Sequence, residues 1–579
     1  MIIIGINAYH ADSSAAIFVN GKLIAAIEEE RFTRIKHWAG FPVLAIEFCL
    51  QQAGIGLDKV DYFAIGRDSK AKLFNKLGYL VKNPFSCAGL ITERFQNGRK
   101  ISSIEKDISD MSSLNESFFK GKVIQVEHHR SHIASAFFAS PFDKAACLSV
   151  DGSGDFSTTM LGTGNGNEIT ILDSLDYPHS LGIFYAAFTQ LLGFPHYGDE
   201  YKVMGMAPYG KPTYMNQLEK VVKLKSNGLF ELNLSYFCSG AKGNITYDNK
   251  HQPVLARMYS DKMIQHFGLP RCPNEPLTQH HKNIAASVQN MTEKILFHIL
   301  NHLHKRTGLD TLCMAGGVAQ NSVANGKITR NTAFKNVYIP SASHDAGISI
   351  GAALFVQHQI LTTNRQPTIL TAHTGTCYTN EAIIELLTEK GICFTHFEDE
   401  LIFDKVTDCM INGGVVGWFS GRAEFGPRAL GGRSIIADPR RKDAKELLNQ
   451  KIKRREGFRP FAPSILKEYV NDFFVGGEEV PFMEKVFPIK IDRQCEIPAV
   501  THFDGTGRVQ TVDKNVSPRF WALIEAFRVK TGIPILLNTS FNENEPIVNL
   551  PLEALNCYLR TEMDMLVMEN IVVSRIPVN

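Results

Sequence analysis

The sequence predicts an α/β protein of two domains, the first of which carries a duplicated β-meander. The chain has 579 residues, which is too long for one hydrophobic core. Residues 2–29 are predicted to form strand, polar loop, strand, Asn-Gly turn and strand, and residues 145–163 repeat the strand, polar loop and strand. Further on, the amphipathic helix predicted for residues 283–308 leads into a short apolar strand and a second helix.

The composition is that of an ordinary globular protein. Lys+Arg 61 nearly equals Asp+Glu 59, so the bulk charge gives no reason to expect a nucleic acid or a membrane surface as partner. The 11 cysteines are scattered without a CxxC pair, which argues against a zinc ribbon or a disulfide framework. The sequence contains no uncharged apolar run of the roughly 20 residues that a membrane span needs. A soluble, cytoplasmic protein is therefore expected.

Two polar loops of the first meander can bind anions. The loop after the first strand contains His10, Asp12 and Ser13, and its hydroxyl and acidic groups can hold phosphates or their counterions. Lys36 and His37 follow the third strand in a basic, aromatic loop that can grip an anion. A solvated loop is the alternative interpretation of this basic segment.

A pair of histidines precedes the second meander. His128 and His132 are spaced i,i+4, so on a helix both imidazoles project from one face and can bind one cation. A purely structural pair is the alternative.

A polar segment follows the buried strand predicted at residues 145–150. Glycines after a strand let the backbone approach phosphate oxygens, and an acidic residue there can hold a metal ion or its waters. An ordinary turn is the alternative. The segment reads Asp151, Gly152, Ser153, Gly154 and Asp155.

Two later segments also have the character of binding sites. Residues 198–200 form a Gly-Asp-Glu loop with Lys202 close behind, which is either a site or a solvated turn. Asn283 is predicted to cap the helix that ends at Gly308. The next strand runs into Gly316, Gly317 and Asn321, where a helix opening can receive a nucleotide.

Asp345 is a candidate third metal ligand beside His128 and His132. It lies at the mouth of a helix of small residues, so a helix cap is the alternative interpretation. Two histidines and one carboxylate leave open positions on Fe, Mn or Zn.

The polar, unpatterned residues 361–375 are predicted to link the two domains. The second domain contains three arginines among four glycines and a proline at residues 421–434, a pattern that predicts an exposed oxyanion cradle. Residues 451–461 add cations interleaved with aromatic residues, and residues 539–542 form a polar turn after a strand.

Ten of these motifs occur in the order found in one family. The chain resembles the nodulation-type O-carbamoyltransferases, which include the tobramycin and cephamycin carbamoyltransferases, over nearly its whole length. The motifs are HADSSAA, EEERFTRIKH, EHHRSH, DGSGD, GDEYKVMGMAPYG, AGGVAQN, SHDAG, GRAEFGPRALGGRS, KRREGFRPFAP and LNTSFN.

The resemblance implies a division of labour between two domains. Residues 1–362 would form a Kae1-like domain of the actin/Hsp70 superfamily that transfers a carbamoyl group to an acceptor hydroxyl. Residues 375–579 would form a YrdC-like α/β domain that makes carbamoyl-adenylate from carbamoyl phosphate and ATP. Because water destroys such a mixed anhydride, a closed path between the domains is expected.

The resemblance also implies roles for individual residues. His10 and Lys36 match the transfer site, with His10 as general base or as hydrogen-bond partner of the carbamoyl group. One divalent ion is implied, with Fe expected, Mn and Zn as alternatives and Mg as a further candidate. His128, His132 and Asp345 match the metal ligands, and the residues matching the carbamoyl phosphate and nucleotide site are Arg428, Lys453, Arg459, Arg508 and Ser540.

Other functions stay open at this point. An ATPase or kinase of the same superfamily would produce ADP, whereas adenylation produces AMP and pyrophosphate; a non-catalytic nucleotide sensor would produce neither. The acceptor is expected to be a small hydroxylated natural product or sugar, such as an antibiotic precursor. A homodimer is one option for the oligomeric state.

Overall fold

The computed structural model describes residues 1–82, 104–238, 245–365 and 368–575. The chain divides into two compact units. The first comprises Met1–Ala324 and Ile328–Ile369, and the second comprises Asn325–Lys327 and Leu370–Asn579. Both units mix helices with sheets, so the predicted α/β class is confirmed.

The first unit contains two five-stranded sheets. One sheet has the strand order β3-β2-β1-β4-β5 and the other has the order β14-β13-β6-β7-β8. The two sheets comprise β1 (Ile2–Asn7), β2 (Ser14–Val19), β3 (Lys22–Glu28), β4 (Tyr62–Ile65), β5 (Val123–Gln125), β6 (Lys144–Gly154), β7 (Ser157–Asn165), β8 (Glu168–Asp176), β13 (Thr311–Ala315) and β14 (Asn336–Tyr338). Two small hairpins lie in sequence between β8 and β13 of the second sheet. They are formed by β9 (Val222–Leu224) with β10 (Phe230–Leu232) and by β11 (Ile245–Tyr247) with β12 (Pro253–Leu255).

The two larger sheets have the same topology. In each, the first strand of an antiparallel meander also pairs in parallel with a later strand, β1 with β4 and β6 with β13. A parallel fifth strand completes each sheet. The predicted duplication is therefore confirmed.

Helices cover these sheets, and the longest spans Gln279–Thr307. It begins before the predicted cap Asn283, because Thr278 caps it and His281 Nδ1 accepts a hydrogen bond from the Thr278 amide at 3.1 Å. Gly308 ends it with φ 66°, as predicted. The other helices of eight or more residues are Val43–Ala53, Leu73–Lys82, His128–Phe137, Leu181–Leu191 and Ile348–Phe355. The shorter helices are Glu30–Thr33, Ile104–Asp110, Glu116–Phe119, Glu200–Met206, Met215–Leu218, Asp261–Phe267, Ser322–Asn325 and Ile328–Asn331.

The polar segment 151–155 is only partly the predicted loop. Strand β6 continues through it to Gly154 with an irregular register, and the chain turns at Asp155 and Phe156, whose φ values are 48° and 83°. Asp151 therefore projects from a strand end that two neighbouring strands hold in place.

The predicted linker is held by hydrogen bonds where the structure describes it. Arg365 Nη2 donates to the carbonyls of Phe137 at 2.9 Å and Ser140 at 3.1 Å, and Ile369 donates to Ala139 O at 3.0 Å. These bonds fasten the segment to the C-terminal end of the helix that starts at His128.

The second unit is built on one nine-stranded sheet. The strand order is β15-β23-β22-β16-β17-β21-β18-β20-β19. Buried side chains such as Trp418, Leu537 and Phe527 form its core. The strands are β15 (Thr395–His396), β16 (Val416–Phe419), β17 (Arg433–Ala437), β18 (Ala462–Leu466), β19 (Lys485–Pro488), β20 (Thr506–Val512), β21 (Ile535–Ser540), β22 (Met565–Met568) and β23 (Ile571–Ser574), and the helices are Asn380–Glu389, Asp399–Ile411, Ala444–Leu447, Val470–Phe473, Pro518–Thr531 and Pro551–Arg560.

Across the described parts of both units, no helix is both long enough and apolar enough to cross a membrane.

Candidate active site

The two predicted metal-binding histidines lie on one helix at the centre of the first unit. The helix begins at His128, and the Glu127 carboxylate caps it by accepting from the Arg130 amide at 2.8 Å. His128 and His132 are 3% and 0% exposed, and their ring centroids are 4.7 Å apart. The helix therefore places both imidazoles one turn apart and away from water.

Two carboxylates face these imidazoles. Asp151 Oδ2 lies 3.1 Å from His128 Nε2 and 3.5 Å from His132 Nε2. Asp345 Oδ1 lies 3.7 Å and 3.3 Å from the same two nitrogens. One ligand atom from each of the four residues lies within 4.8 Å of the others. The histidines come from one helix, and the carboxylates come from the second sheet and from the start of a later helix.

Each carboxylate uses its second oxygen elsewhere. Asp151 Oδ1 accepts a hydrogen bond from the Gly317 amide at 3.0 Å. Asp345 Oδ2 lies 2.5 Å from His10 Nδ1. These contacts fix the orientation of both carboxylates, as outer contacts do around metal ligands in proteins.

The cluster fits a divalent metal ion. His132 Nδ1 and Nε2 and Asp345 Oδ1 are buried and have no hydrogen-bond partner among the described residues. Burying such atoms unpaired is costly, and a shared cation between them removes that cost. Two imidazoles and two carboxylates are a donor set that suits Fe, Mn or Zn.

The charges of the cluster are strongly coupled. Burial lowers the proton affinity of His132, but Asp151 and Asp345 outweigh it and raise the pKa of His132 to about 9. Burial also opposes protonation of His10, and the adjacent Asp345 nevertheless raises the pKa of His10. Without a metal ion the cluster therefore binds protons, so metal binding must displace them.

Close packing explains one glycine of the 151–155 segment. A Cβ on Gly154 would lie 2.0 Å from His128 Cδ2, so the glycine makes room for the imidazole. Gly152 has nothing within 4 Å of a built Cβ, and Ser153 beside it is partly exposed. Gly316 has φ 99°, and a Cβ there would meet Val150 O at 2.2 Å.

The first loop lies beside the cluster through His10. Asp12 Oδ1 lies 2.7 Å from His37 Nδ1, and the charges of His37 and His344 lower the pKa of Asp12 against the opposing effect of its burial. The Ser13 hydroxyl is buried and contacts the carbonyls of His10 at 3.0 Å and Gly40 at 2.9 Å, and so braces the loop.

Three other predicted residues interact with side chains of the protein. Lys202 Nζ pairs with Asp199 Oδ1 at 2.8 Å. Asn321 and Gln289 exchange two amide hydrogen bonds of 3.0 Å each. Lys36 acts electrostatically on the neighbouring His37.

The second unit contains a group of four arginines. Burial, followed by the charges of Arg428, Arg455 and Arg459, lowers the pKa of Arg508 well below its usual range. The buried Arg508 Nε has no hydrogen-bond partner among the described residues. Like charges gathered in this way repel one another unless an anion joins them, so the group is a candidate anion site.

Lys453 organises a polar turn of the second unit. Its side chain is 1% exposed, and its ammonium donates to Ser540 O at 2.5 Å, Asn542 O at 2.8 Å and Asn542 Oδ1 at 2.7 Å. The Ser540 hydroxyl donates to Asn542 Oδ1 at 2.8 Å. Lys453 therefore holds the polar turn after β21.

The predicted exposed cradle at residues 421–434 is wrong in most of its parts. Arg433 is fully buried, lies 3.6 Å from the ring centroid of Phe419, and donates to backbone carbonyls. The Glu424 carboxylate accepts from the amides of Leu430 and Gly432 at 2.7 Å each and of Arg433 at 3.2 Å. These amides cannot face an oxyanion. Of the three arginines in residues 421–434, Arg428 belongs to the group around Arg508, because its charge helps to lower the pKa of Arg508.

The sequence did not predict that Asp151 and Arg455 belong to these two clusters. Asp151 was expected at a phosphate loop, and its place as a fourth ligand depends on how the strand end packs against the helix. Arg455 lies within a predicted basic run, but nothing in the run distinguishes it from Arg454, which is 58% exposed in its side chain.

Two family models match most of the chain. Residues 2–354 match the family model described as Carbamoyltransferase N-terminus, and residues 407–575 match that described as Carbamoyltransferase C-terminus. The chain therefore belongs to the carbamoyltransferase family and is an enzyme of that class.

Individual relatives cover almost the full chain. An uncharacterized protein, sll1178, of Synechocystis sp. is 42% identical over 99% of this chain and 96% of its own length. The nodulation protein NolNO of Sinorhizobium fredii is 36% identical over 98% of this chain and 80% of its own length. Among solved structures, full-length HypF in a phosphate- and nucleotide-bound form aligns with 63% of this chain and 56% of its own, at 14% identity and TM-score 0.31.

Proposed function

We propose that this enzyme is an ATP-dependent O-carbamoyltransferase. Its second unit makes carbamoyl-adenylate from carbamoyl phosphate, ATP and one water molecule, with release of phosphate and pyrophosphate. Its first unit passes the carbamoyl group to a hydroxyl of a small molecule and releases AMP. The observation that carries the proposal is the contrast in charge between the two clusters. One gathers imidazoles and carboxylates as metal ligands do, and the other gathers guanidinium groups.

The arginine group suits the first step. Carbamoyl phosphate and ATP are both polyanions, and bringing them together requires several fixed cations. Arg428, Arg455 and Arg459 surround Arg508 electrostatically, and the buried Nε of Arg508 lacks a protein partner in the described chain. Bound phosphates would complete this arrangement.

The histidine and carboxylate cluster suits the second step. A divalent ion held by His128, His132, Asp151 and Asp345 would neutralise the adenylate phosphate and polarise the carbamoyl carbonyl. His10 Nδ1 lies 2.5 Å from Asp345 Oδ2, and Asp345 raises the pKa of His10 against the opposing effect of burial, so His10 is a candidate hydrogen-bond donor to the reacting group. The burial of the cluster excludes water, which otherwise hydrolyses the adenylate.

We further infer a small acceptor and a cytoplasmic location. The net charge of the chain is +2, so there is no surplus of positive charge that would favour a nucleic acid or a lipid surface over a small molecule. Sugars and other hydroxylated natural products fit this description.

Two measurements test the function. Purified protein is incubated with carbamoyl phosphate, ATP and a panel of hydroxylated metabolites, and intact-mass analysis detects the gain of one carbamoyl group. Nucleotide products are quantified in the same reaction. AMP and pyrophosphate are expected; ADP without a carbamoylated product would instead indicate a kinase or ATPase.

A further inference from the structure

A histidine and a threonine of the second unit lie on the same sheet face as Arg508. Thr506 and Arg508 are two residues apart on β20, so their side chains point to one face of the sheet. Both are partly exposed there, whereas Gly507 and Val509 are buried on the opposite face. The amide of His502 donates to Thr506 O at 2.8 Å, and His502 Nδ1 lies 3.2 Å from Thr506 Oγ1. The imidazole therefore lies on the face that carries Arg508.

Hydrogen bonds fix the tautomer of His502. The Thr506 hydroxyl donates its single proton to Asp504 Oδ1 at 2.7 Å. The same oxygen can then only accept from His502 Nδ1, so the proton of the neutral ring lies on Nδ1. Nε2 consequently carries the lone pair of the imidazole.

This Nε2 atom is a buried proton acceptor. It has no hydrogen-bond partner within the described ranges. Burial, together with the charges of Arg508 and Lys445, lowers the pKa of His502 to about 4, so the ring is uncharged at neutral pH. The Asp504 charge and the Phe461 carbonyl oppose this shift without reversing it. Leaving such an acceptor unpaired is costly, and a water molecule that donates to it removes the cost.

The arginine group can place a phosphate beside this nitrogen. Arg428, Arg455 and Arg459 act on Arg508, whose buried Nε lacks a partner in the described chain. The charge of Arg508 also acts on His502, so a phosphate that Arg508 binds would lie near the imidazole. A water molecule that donates to Nε2 would then be held beside the phosphorus atom.

We propose that His502 is the general base for the hydrolysis of carbamoyl phosphate, with Thr506 as its positioning residue. This inference rests on the proposed function, in which one water molecule is consumed. Nε2 takes a proton from this water as the water oxygen bonds to phosphorus. The bond between phosphorus and the carbamoyl oxygen breaks, carbamate leaves with the bonding electron pair, and the proton passes from His502 to the released phosphate. Carbamate then attacks the α-phosphorus of ATP and displaces pyrophosphate.

The test separates these two steps in the full-length enzyme. Phosphate release from carbamoyl phosphate in the presence of ATP, above the uncatalysed rate, measures hydrolysis. Exchange of labelled pyrophosphate into ATP measures adenylation alone when ammonium bicarbonate, which is in equilibrium with carbamate, replaces carbamoyl phosphate. His502→Asn keeps an amide donor for the Thr506 hydroxyl but has no Nε2.

His502→Asn is expected to lower kcat for phosphate release by roughly 10²–10⁴-fold, the usual effect of losing an acid or base. KM for carbamoyl phosphate and the carbamate-supported exchange should stay at wild-type values, since the anion site is intact. Thr506→Val should lower the same kcat at least about tenfold, because Nδ1 loses its acceptor, and Thr506→Ser should restore it. His396→Asn, at an exposed histidine of the same unit, is the control.

Three results would overturn the inference. Unchanged phosphate release in His502→Asn would mean that another group activates the water. An equal loss of carbamate-supported exchange would assign His502 to the shared anion site or to the fold, and a raised KM with unchanged kcat would make it a binding group only. If the wild-type enzyme shows pyrophosphate exchange with neither carbamate nor carbamoyl phosphate, the proposed function fails, and this failure is separate from any result at His502.

Discussion

The two clusters of this enzyme lack opposite kinds of charge. In the first unit, Asp151 and Asp345 face His128 and His132, and the buried nitrogens of His132 lack hydrogen-bond partners in the described chain. In the second unit, three arginines act on Arg508 and repel it. The first arrangement is incomplete without a cation, and the second is incomplete without an anion.

The difference between the two clusters indicates that the first suits a cation and the second suits an anion. Buried polar atoms without partners are costly, so a folded chain retains them where a ligand supplies the missing charge. The nearby Lys453 offers a contrast, because backbone and amide oxygens already surround its ammonium. A lysine or arginine in a sequence motif therefore does not by itself mark a ligand-binding residue.

Replacing His132, a proposed metal ligand, should have the largest effect on the first cluster. His132→Ala leaves Asp151 and Asp345 facing each other without the central imidazole, so bound divalent metal should fall to background and hydroxyl carbamoylation should stop. Pyrophosphate release should continue. Elemental analysis and product assays measure these effects, with exposed His266→Ala as control. Full metal occupancy in the His128→Ala, His132→Ala double variant would refute the assignment.

Much of this cluster could be predicted from the sequence. The spacing of His128 and His132 places both on one helical face whatever the fold around them. Asp345 could be proposed from its place at a helix mouth, but its approach to both histidines depends on strand packing that no local pattern encodes. Asp151 was predicted at a phosphate loop and was not grouped with His128 and His132, because its segment resembled a free loop, whereas strand β6 carries it.

Removing a single arginine of the second cluster should have a smaller effect, which falls on the rate of adenylate formation. Arg459→Ala should slow adenylate formation roughly a hundredfold, or about 3 kcal/mol, since one donor to developing charge is lost. Exchange of labelled pyrophosphate into ATP measures this step. Lys453→Ala should also slow adenylate formation, because it loosens the turn at Ser540 and Asn542 that its ammonium holds.

Two controls keep this prediction specific. Arg454→Ala removes an exposed arginine of the same run that pairs with Glu543 at 3.1 Å, and it should change the exchange rate little. Carbamoyl-adenylate added directly should restore product formation by Arg459→Ala. Failure of that rescue would mean that Arg459 is not confined to the first step.

The second cluster was harder to predict than the first. Glycine and arginine in residues 421–434 suggested amides and guanidinium groups facing an anion. In the structure the Glu424 carboxylate takes three of these amides, and Arg433 lies in the core over Phe419. Composition cannot reveal which buried carboxylate a loop folds around, because that depends on contacts between distant strands.

A crowded glycine offers a finer test of the metal cluster. Gly154→Ala places a methyl group against the His128 ring, which should shift the imidazole and weaken metal binding about 10–100-fold, as changes next to ligands usually do. Metal titration of the chelator-treated protein measures the affinity. Gly78→Ala, at an open helical position, is the control and should leave the affinity unchanged. Wild-type affinity in Gly154→Ala would show that His128 is not a ligand.

The smallest effect on the reaction is expected at Glu424, whose carboxylate accepts hydrogen bonds from amides of the second unit itself. Glu424→Gln weakens the acceptor for three backbone amides, so the free energy of unfolding should fall by about 1–3 kcal/mol. Trp418 donates to Gly431 O at 2.9 Å, and its fluorescence should follow the urea unfolding of this loop. Glu385→Gln, on an exposed helical surface, should have almost no effect. If Glu424→Gln instead abolished ATP–pyrophosphate exchange at unchanged stability, the carboxylate would belong to the reaction rather than to the fold.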